Sequence, residues 1–93
     1  MNKKELIERV SEVSERTQKD TRRMLDAFIS IVCETLKNGE NVEIEYFGEF
    51  SCKTLPERKI TSLSGDEITL PMQKTPVFKY SRDMMLIIKY NLS

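Results

Sequence analysis

The side chains in this sequence that can do chemistry are cations, and no set of catalytic groups accompanies them. Lys53, Arg58, Lys59, Lys74, Lys79 and Arg82 punctuate the second half, and Lys3 stands near the start. Residues 51–93 carry seven Lys or Arg against four Asp or Glu, whereas residues 1–50 carry eight against eleven. The net formal charge is zero, so it is the segregation of charge that points to an anionic partner. Lysine and arginine on a strand can bind phosphate by neutralising it and releasing its counterions. The same residues also serve as solvated groups that keep an exposed sheet edge from aggregating. Both readings are open for Lys53, Arg58 and Lys59, and Glu57 offers an intramolecular partner for the two lysines, although exposed pairs are worth little.

Other chemistries find less support. The chain has no histidine to act as a general base, no serine elbow and no glycine-rich phosphate loop, and its carboxylates are scattered over helix faces. An enzyme is not expected, nor a cofactor, nor a small-molecule substrate. Cys33 and Cys52 sit singly in apolar periodic segments, which reads as small buried hydrophobes rather than a disulfide. A metal site is not expected either, since zinc normally takes four ligands. The N-terminus runs directly into charged, amphipathic sequence and no long apolar run follows. No membrane association is expected, and the chain reads as soluble and cytoplasmic.

These cations need elements to position them. Asn2 and Glu5 read as an N-cap and an N3 acid, and Leu6, Ile7, Val10 and Val13 recur at helical spacing, which predicts a helix over about 3–14. Thr17 with Asp20 repeats the cap. Met24, Leu25, Phe28, Ile31, Val32 and Leu36 then make an apolar stripe that stops at Asn38-Gly39, giving a second helix over about 18–37. From Glu40 the period becomes two: Val42, Ile44 and Tyr46 alternate with acids, Phe47-Gly48 punctuates, and Phe50 and Cys52 continue. Residues 56–75 lack a core pattern. Pro56 opens them, Ser64-Gly65-Asp66 signals a turn, and Ile68 and Leu70 flank Thr69 ahead of Pro71. This predicts a hairpin that leaves the core. A short strand resumes over Thr75–Lys79, and Ser81 caps a last helix containing Met84, Met85, Leu86, Ile87 and Ile88. Phe47, Phe50 and Phe78 read as core, and Gly48 as a turn residue free to take positive φ. Ninety-three residues fit one domain with a thin core that dimerisation would thicken.

This order of elements resembles the HU/IHF family of bacterial DNA-bending proteins over essentially the whole chain. The resemblance is carried by Met1-Asn2-Lys3-Lys4-Glu5-Leu6-Ile7, Leu36-Lys37-Asn38-Gly39-Glu40, Phe47-Gly48-x-Phe50, Glu57-Arg58 and Lys74-Thr75-Pro76-Val77-Phe78-Lys79. It implies an α+β fold and an intertwined dimer. The dimer would have an N-terminal helical hairpin, a three-stranded antiparallel sheet with a protruding β-arm, and a short C-terminal helix. Two such arms reach around double-stranded DNA in its minor groove, in a homodimer or a heterodimer. The implied function is architectural and largely independent of sequence: bending or compacting duplex DNA in the bacterial nucleoid. In that frame Arg58 matches an arm arginine, Lys74, Lys79 and Arg82 match positions set against the duplex backbone, and Lys3 matches a position near bound DNA. Amides at the last helix's N-terminus can add to an anion site beside Arg82.

The chain also departs from the family pattern. Family arm tips carry a proline that wedges between base pairs, and here Ser62 falls at that position, with Leu63 beside it. Leucine can serve as a wedge. The alternative for Leu63 is a tip residue packed on Ile60 or Ile68. Ile60 and Leu55 stand where relatives are basic, and Met85 stands where relatives carry a lysine. The apolar last helix runs on into Tyr90-Asn91-Leu92-Ser93. A second expectation follows from these departures, from the acids Glu43, Glu45 and Glu49, and from zero net charge: an HU-fold protein of weak DNA affinity that acts as a heterodimer subunit or a protein-interaction factor.

Overall fold

A computed structural model describes residues 1–91. Its elements are α1 (Lys3–Ser14), α2 (Gln18–Lys37), β1 (Val42–Ile44), β2 (Gly48–Leu55), β3 (Arg58–Thr61), β4 (Glu67–Leu70), β5 (Gln73–Tyr80) and α3 (Arg82–Tyr90). This is the expected α+β arrangement. The chain divides into two compact units, residues 1–34 and the remainder, and α2 contributes its last residues to the second. No described helix is long and apolar enough to cross a membrane.

In the first unit the helix ends are fixed by local hydrogen bonds. The Asn2 side chain accepts from the Glu5 amide at 2.9 Å, and the Thr17 hydroxyl accepts from the Asp20 amide at 3.1 Å, as the spacing predicts. Helix α1 stops where Glu15 turns left-handed (φ 56°), so that Arg16 can donate back to the Ser11 carbonyl. Ile7 is buried, but Val10, Val13, Met24 and Ile31 of the predicted apolar stripes are exposed in the single chain. Cys33 is also exposed, against the burial that its apolar setting predicts, because it lies roughly 100° around α2 from the buried Val32. Cys33 and Cys52 are free thiols.

In the second unit, α2 ends at Lys37 and the chain turns at Gly39 (φ 83°), with Gly39 donating to Leu36 and Glu40 to Thr35. Its three-stranded sheet has the order β1-β2-β5 and is antiparallel throughout, and β3 and β4 pair separately as a ribbon. Alternation along the strands puts Val42, Ile44, Phe50, Cys52, Pro76 and Phe78 on one face. There the rings of Phe50 and Phe78 lie 4.9 Å apart by centroid, and Phe47 lies 5.1 Å from Phe78. The triad forms as expected, yet Phe47 and Phe78 remain 41% and 39% exposed. Gly48 is required by close approach as well as by its φ of 156°. A Cβ there would collide with the Lys79 carbonyl oxygen and lie 2.7 Å from the Phe78 ring. Ser81 caps α3 by accepting from the Met84 amide at 3.0 Å. Leu92 and Ser93 of the sequence tail lie outside the described residues.

Candidate nucleic-acid interface

The apolar sheet face needs protein to cover it, which leaves the opposite face and the ribbon for a polar partner. That opposite face carries Glu43 on β1, Glu49, Ser51, Lys53 and Leu55 on β2, and Lys79, Val77, Thr75 and Gln73 on β5. Lys53 and Lys79 therefore share a face. Lys74 does not join them. Strand β5 begins at Gln73, two residues before the predicted boundary, so Lys74 pairs with Thr54 in the main sheet and points to the other side.

Beyond Leu55 and Gln73 the pairing breaks at Pro56 and Pro71, which have no amide hydrogen to donate. It resumes at Arg58↔Leu70 in the same register, three residues further along each strand. The arm is therefore one hairpin interrupted by a proline on each strand. Its two faces differ. Arg58, Ile60, Ile68 and Leu70 share one, and Lys59, Thr61, Glu67 and Thr69 share the other. Lys59 lies 3.7 Å from Glu67, its diagonal neighbour, rather than pairing with Glu57. Arg58 is exposed and makes no ion pair among the described residues.

The tip is a closed turn. Ser62 donates its amide to the Asp66 carbonyl at 2.7 Å, and its own carbonyl accepts from the Gly65 amide at 3.0 Å, with Gly65 at φ 91°. The Ser62 hydroxyl accepts from the Asp66 amide at 3.2 Å and bonds the Ser64 hydroxyl at 2.9 Å. Ser62, which falls at the wedge position in the sequence match, thus has its side chain committed to holding the turn. Leu63 at the apex is 110% exposed relative to an extended reference. The packing of Leu63 on Ile60 or Ile68, expected as one alternative, is not found. Leu63 stands fully open at the tip of the closed turn.

Arg82 is exposed in the first turn of α3, where the Ser81 cap and free amides favour an anion, although Asp83 adjoins it. In the first unit, Lys3 lies 2.5 Å from Asp26 and so is occupied in an exposed ion pair. A shallow depression of about 410 Å³ at the end of the sheet next to α3 is lined by Glu43, Glu45, Glu49, Lys79 and Asp83 among others, so Lys79 shares it with four carboxylates without an ion pair to any of them among the described residues. Glu43, Glu45 and Glu49 stand out as acids in the sequence, but only the register sets Glu43, Glu49 and Lys79 in one row across the sheet. The period-two pattern around Glu43 and Glu49 is the signal, but it becomes a row only once the pairing is known.

A ribbon that projects from a sheet with cations at its root is a recurring device for reaching into a DNA groove. Comparison with known proteins agrees with this class. The family described as "Bacterial DNA-binding protein" matches residues 1–89. The DNA-binding protein HU 1 of Bacillus subtilis is 38% identical over 80 residues, covering 85% of this chain and 87% of the relative. The DNA-binding protein HU of Thermotoga maritima is also 38% identical over 80 residues, with 85% and 89% covered. Among solved structures, an Anabaena HU–DNA cocrystal matches the fold with a TM-score of 0.89 at 23% identity, over 97% of this chain and 99% of that one. HU from Thermotoga maritima matches with 0.69 at 29% identity, over 96% and 100%. The chain belongs to the bacterial DNA-binding protein family to which HU belongs, a family of binding proteins rather than enzymes.

Proposed function

We propose that this protein is an architectural DNA-binding protein of the bacterial nucleoid, acting in the cytoplasm as a homodimer of single-domain chains. Its two arms embrace double-stranded DNA through the minor groove with little sequence preference. The observation that carries this reading is the β3–β4 ribbon itself, with unpaired Arg58 at its root and Leu63 bare at its apex. Arg58, Lys53 and Arg82 supply phosphate contacts, and Lys74, on the other side of the sheet, contributes less. Lys3, Lys59 and Lys79 each sit beside a carboxylate and contribute less. Leu63 takes the wedge role, entering a base step from the groove, while Ser62 holds the turn that presents it.

Titration of duplex DNA at two salt concentrations tests the reading. Affinity falls steeply with salt, and an Arg58→Ala/Arg82→Ala variant has a slope shallower by roughly 0.9 for each phosphate that the protein no longer neutralises. Absence of duplex binding at low salt refutes the function, and an unchanged slope refutes the residue assignment. Replacing Leu63 with Ser is expected to reduce the bend, read by fluorescence energy transfer between duplex ends, with a smaller reduction in affinity. The second reading, a heterodimer subunit or protein-interaction factor, draws on α3, where Ile87, Ile88 and Tyr90 are exposed. Copurification of a second arm-bearing chain with a homodimer that ignores DNA would favour it.

A further inference from the structure

The polar face of the sheet places Glu43 directly opposite Glu49, and Glu49 directly opposite Lys79 on the next strand. Like charges in opposed cross-strand positions weaken a sheet, so this pair is held at a cost to folding. Its electrostatic effect is local. Glu49 and Lys53 are four residues apart on β2, about 13 Å at the rise of a strand. Screening confines an exposed charge to roughly 8 Å at physiological ionic strength. The carboxylates therefore act on whatever lies over the Glu43–Glu49–Lys79 row and leave Lys53 and the arm untouched. Asp83 and Glu45 border the same depression and deepen the negative potential there. A phosphate backbone laid along this face meets cations at the arm end and carboxylates at the other.

We infer that Glu43 and Glu49 hold the duplex off the inner part of the sheet, so that DNA contact is confined to the arms and the Lys53 end and the bound site is short. This rests on the DNA-binding reading above and adds the residues that set its footprint. Glu49 faces Lys79 across the strand pair and lowers the positive potential around it, and removal of the two carboxylates leaves that lysine to engage phosphate.

The test compares wild type with a Glu43→Gln/Glu49→Gln variant, which keeps side-chain shape and removes the charge. A Glu8→Gln/Glu12→Gln variant makes the same change of net charge on α1. Binding to duplexes of graded length is measured at several salt concentrations, and a thermal melt checks the fold. The sheet variant is expected to bind at least tenfold more tightly at low salt. Its salt slope should steepen by roughly 2 as two Lys79 side chains of a dimer engage phosphate, and it should need a longer duplex for full affinity. The α1 variant should gain much less. Equal gains in both variants, or no gain in a sheet variant that melts at or above the wild-type temperature, would overturn the inference. If wild type ignores duplex DNA, the functional reading fails by itself. Even then, binding gained only by the sheet variant supports the carboxylates as the barrier, and no gain refutes it.

Discussion

Gly48 and Leu63 show how much a single position can carry. Gly48 lies against the Lys79 carbonyl and the Phe78 ring, and neither backbone nor packed ring can give way to a methyl group there. Gly48→Ala is therefore expected to destabilise by about 2 kcal/mol or more, as overpacking does. A melting temperature lowered by roughly 8 °C or more in a chain of this size would register it. The sequence marks Gly48 as special and attributes it to the turn, because a close approach from β5 cannot be read until the partner strand is known. Leu63 is legible as an apolar residue at a tip. Its bareness is not, because it depends on the Ser62–Asp66 hydrogen bonds, which form from side chains that also read as ordinary turn polarity.

Helix boundaries are the most legible elements, since Asn2, Thr17, Gly39 and Ser81 announce them by chemistry that acts within three or four residues. The end of α1 is the exception. Glu15 takes a left-handed conformation with no glycine or asparagine to signal it. Glu15→Gly should relieve that strain, which costs a residue with a Cβ about 1–2 kcal/mol, against a smaller entropic penalty from the more flexible unfolded chain. The net expectation is a melting temperature higher by a few degrees. At the arm, Pro56 and Pro71 interrupt the ladder and leave a two-stranded ribbon, which is marginal by itself. Amides paired between β3 and β4 should exchange with solvent far faster than those between β2 and β5, as hydrogen-exchange NMR would report.

For the whole chain, apolar exposure is decisive. The single chain presents 8159 Å² of total accessible surface, polar and apolar together, against about 5,600 Å² expected of a folded monomer of this mass. Phe47, Phe78, Ile31 and Ile88 are among the residues left open to water. A chain that leaves this much apolar surface open is stabilised by association, so its melting temperature should rise with protein concentration. Sedimentation should find a dimer at micromolar concentration, and a concentration-independent melt of a monomer would contradict this. The sequence carries the apolar pattern that requires a partner surface, through the stripes of α2 and the Phe triad. It cannot say which residues close within one chain and which wait for another, because periodicity marks a face as apolar without naming what covers it.

The unbroken register across the two prolines makes the reach of the arm a quantised quantity. A residue added to one strand alone would leave its counterpart unmatched and turn the ladder over. One added to each strand lengthens the arm by about 3.4 Å but exchanges the Ile60 face for the Lys59 face beyond the insertion. Only insertions of two residues per strand, about 7 Å of reach, keep the same side chains facing inward to the apex. An arm of this kind can be lengthened or trimmed without changing what it presents only in steps of four residues.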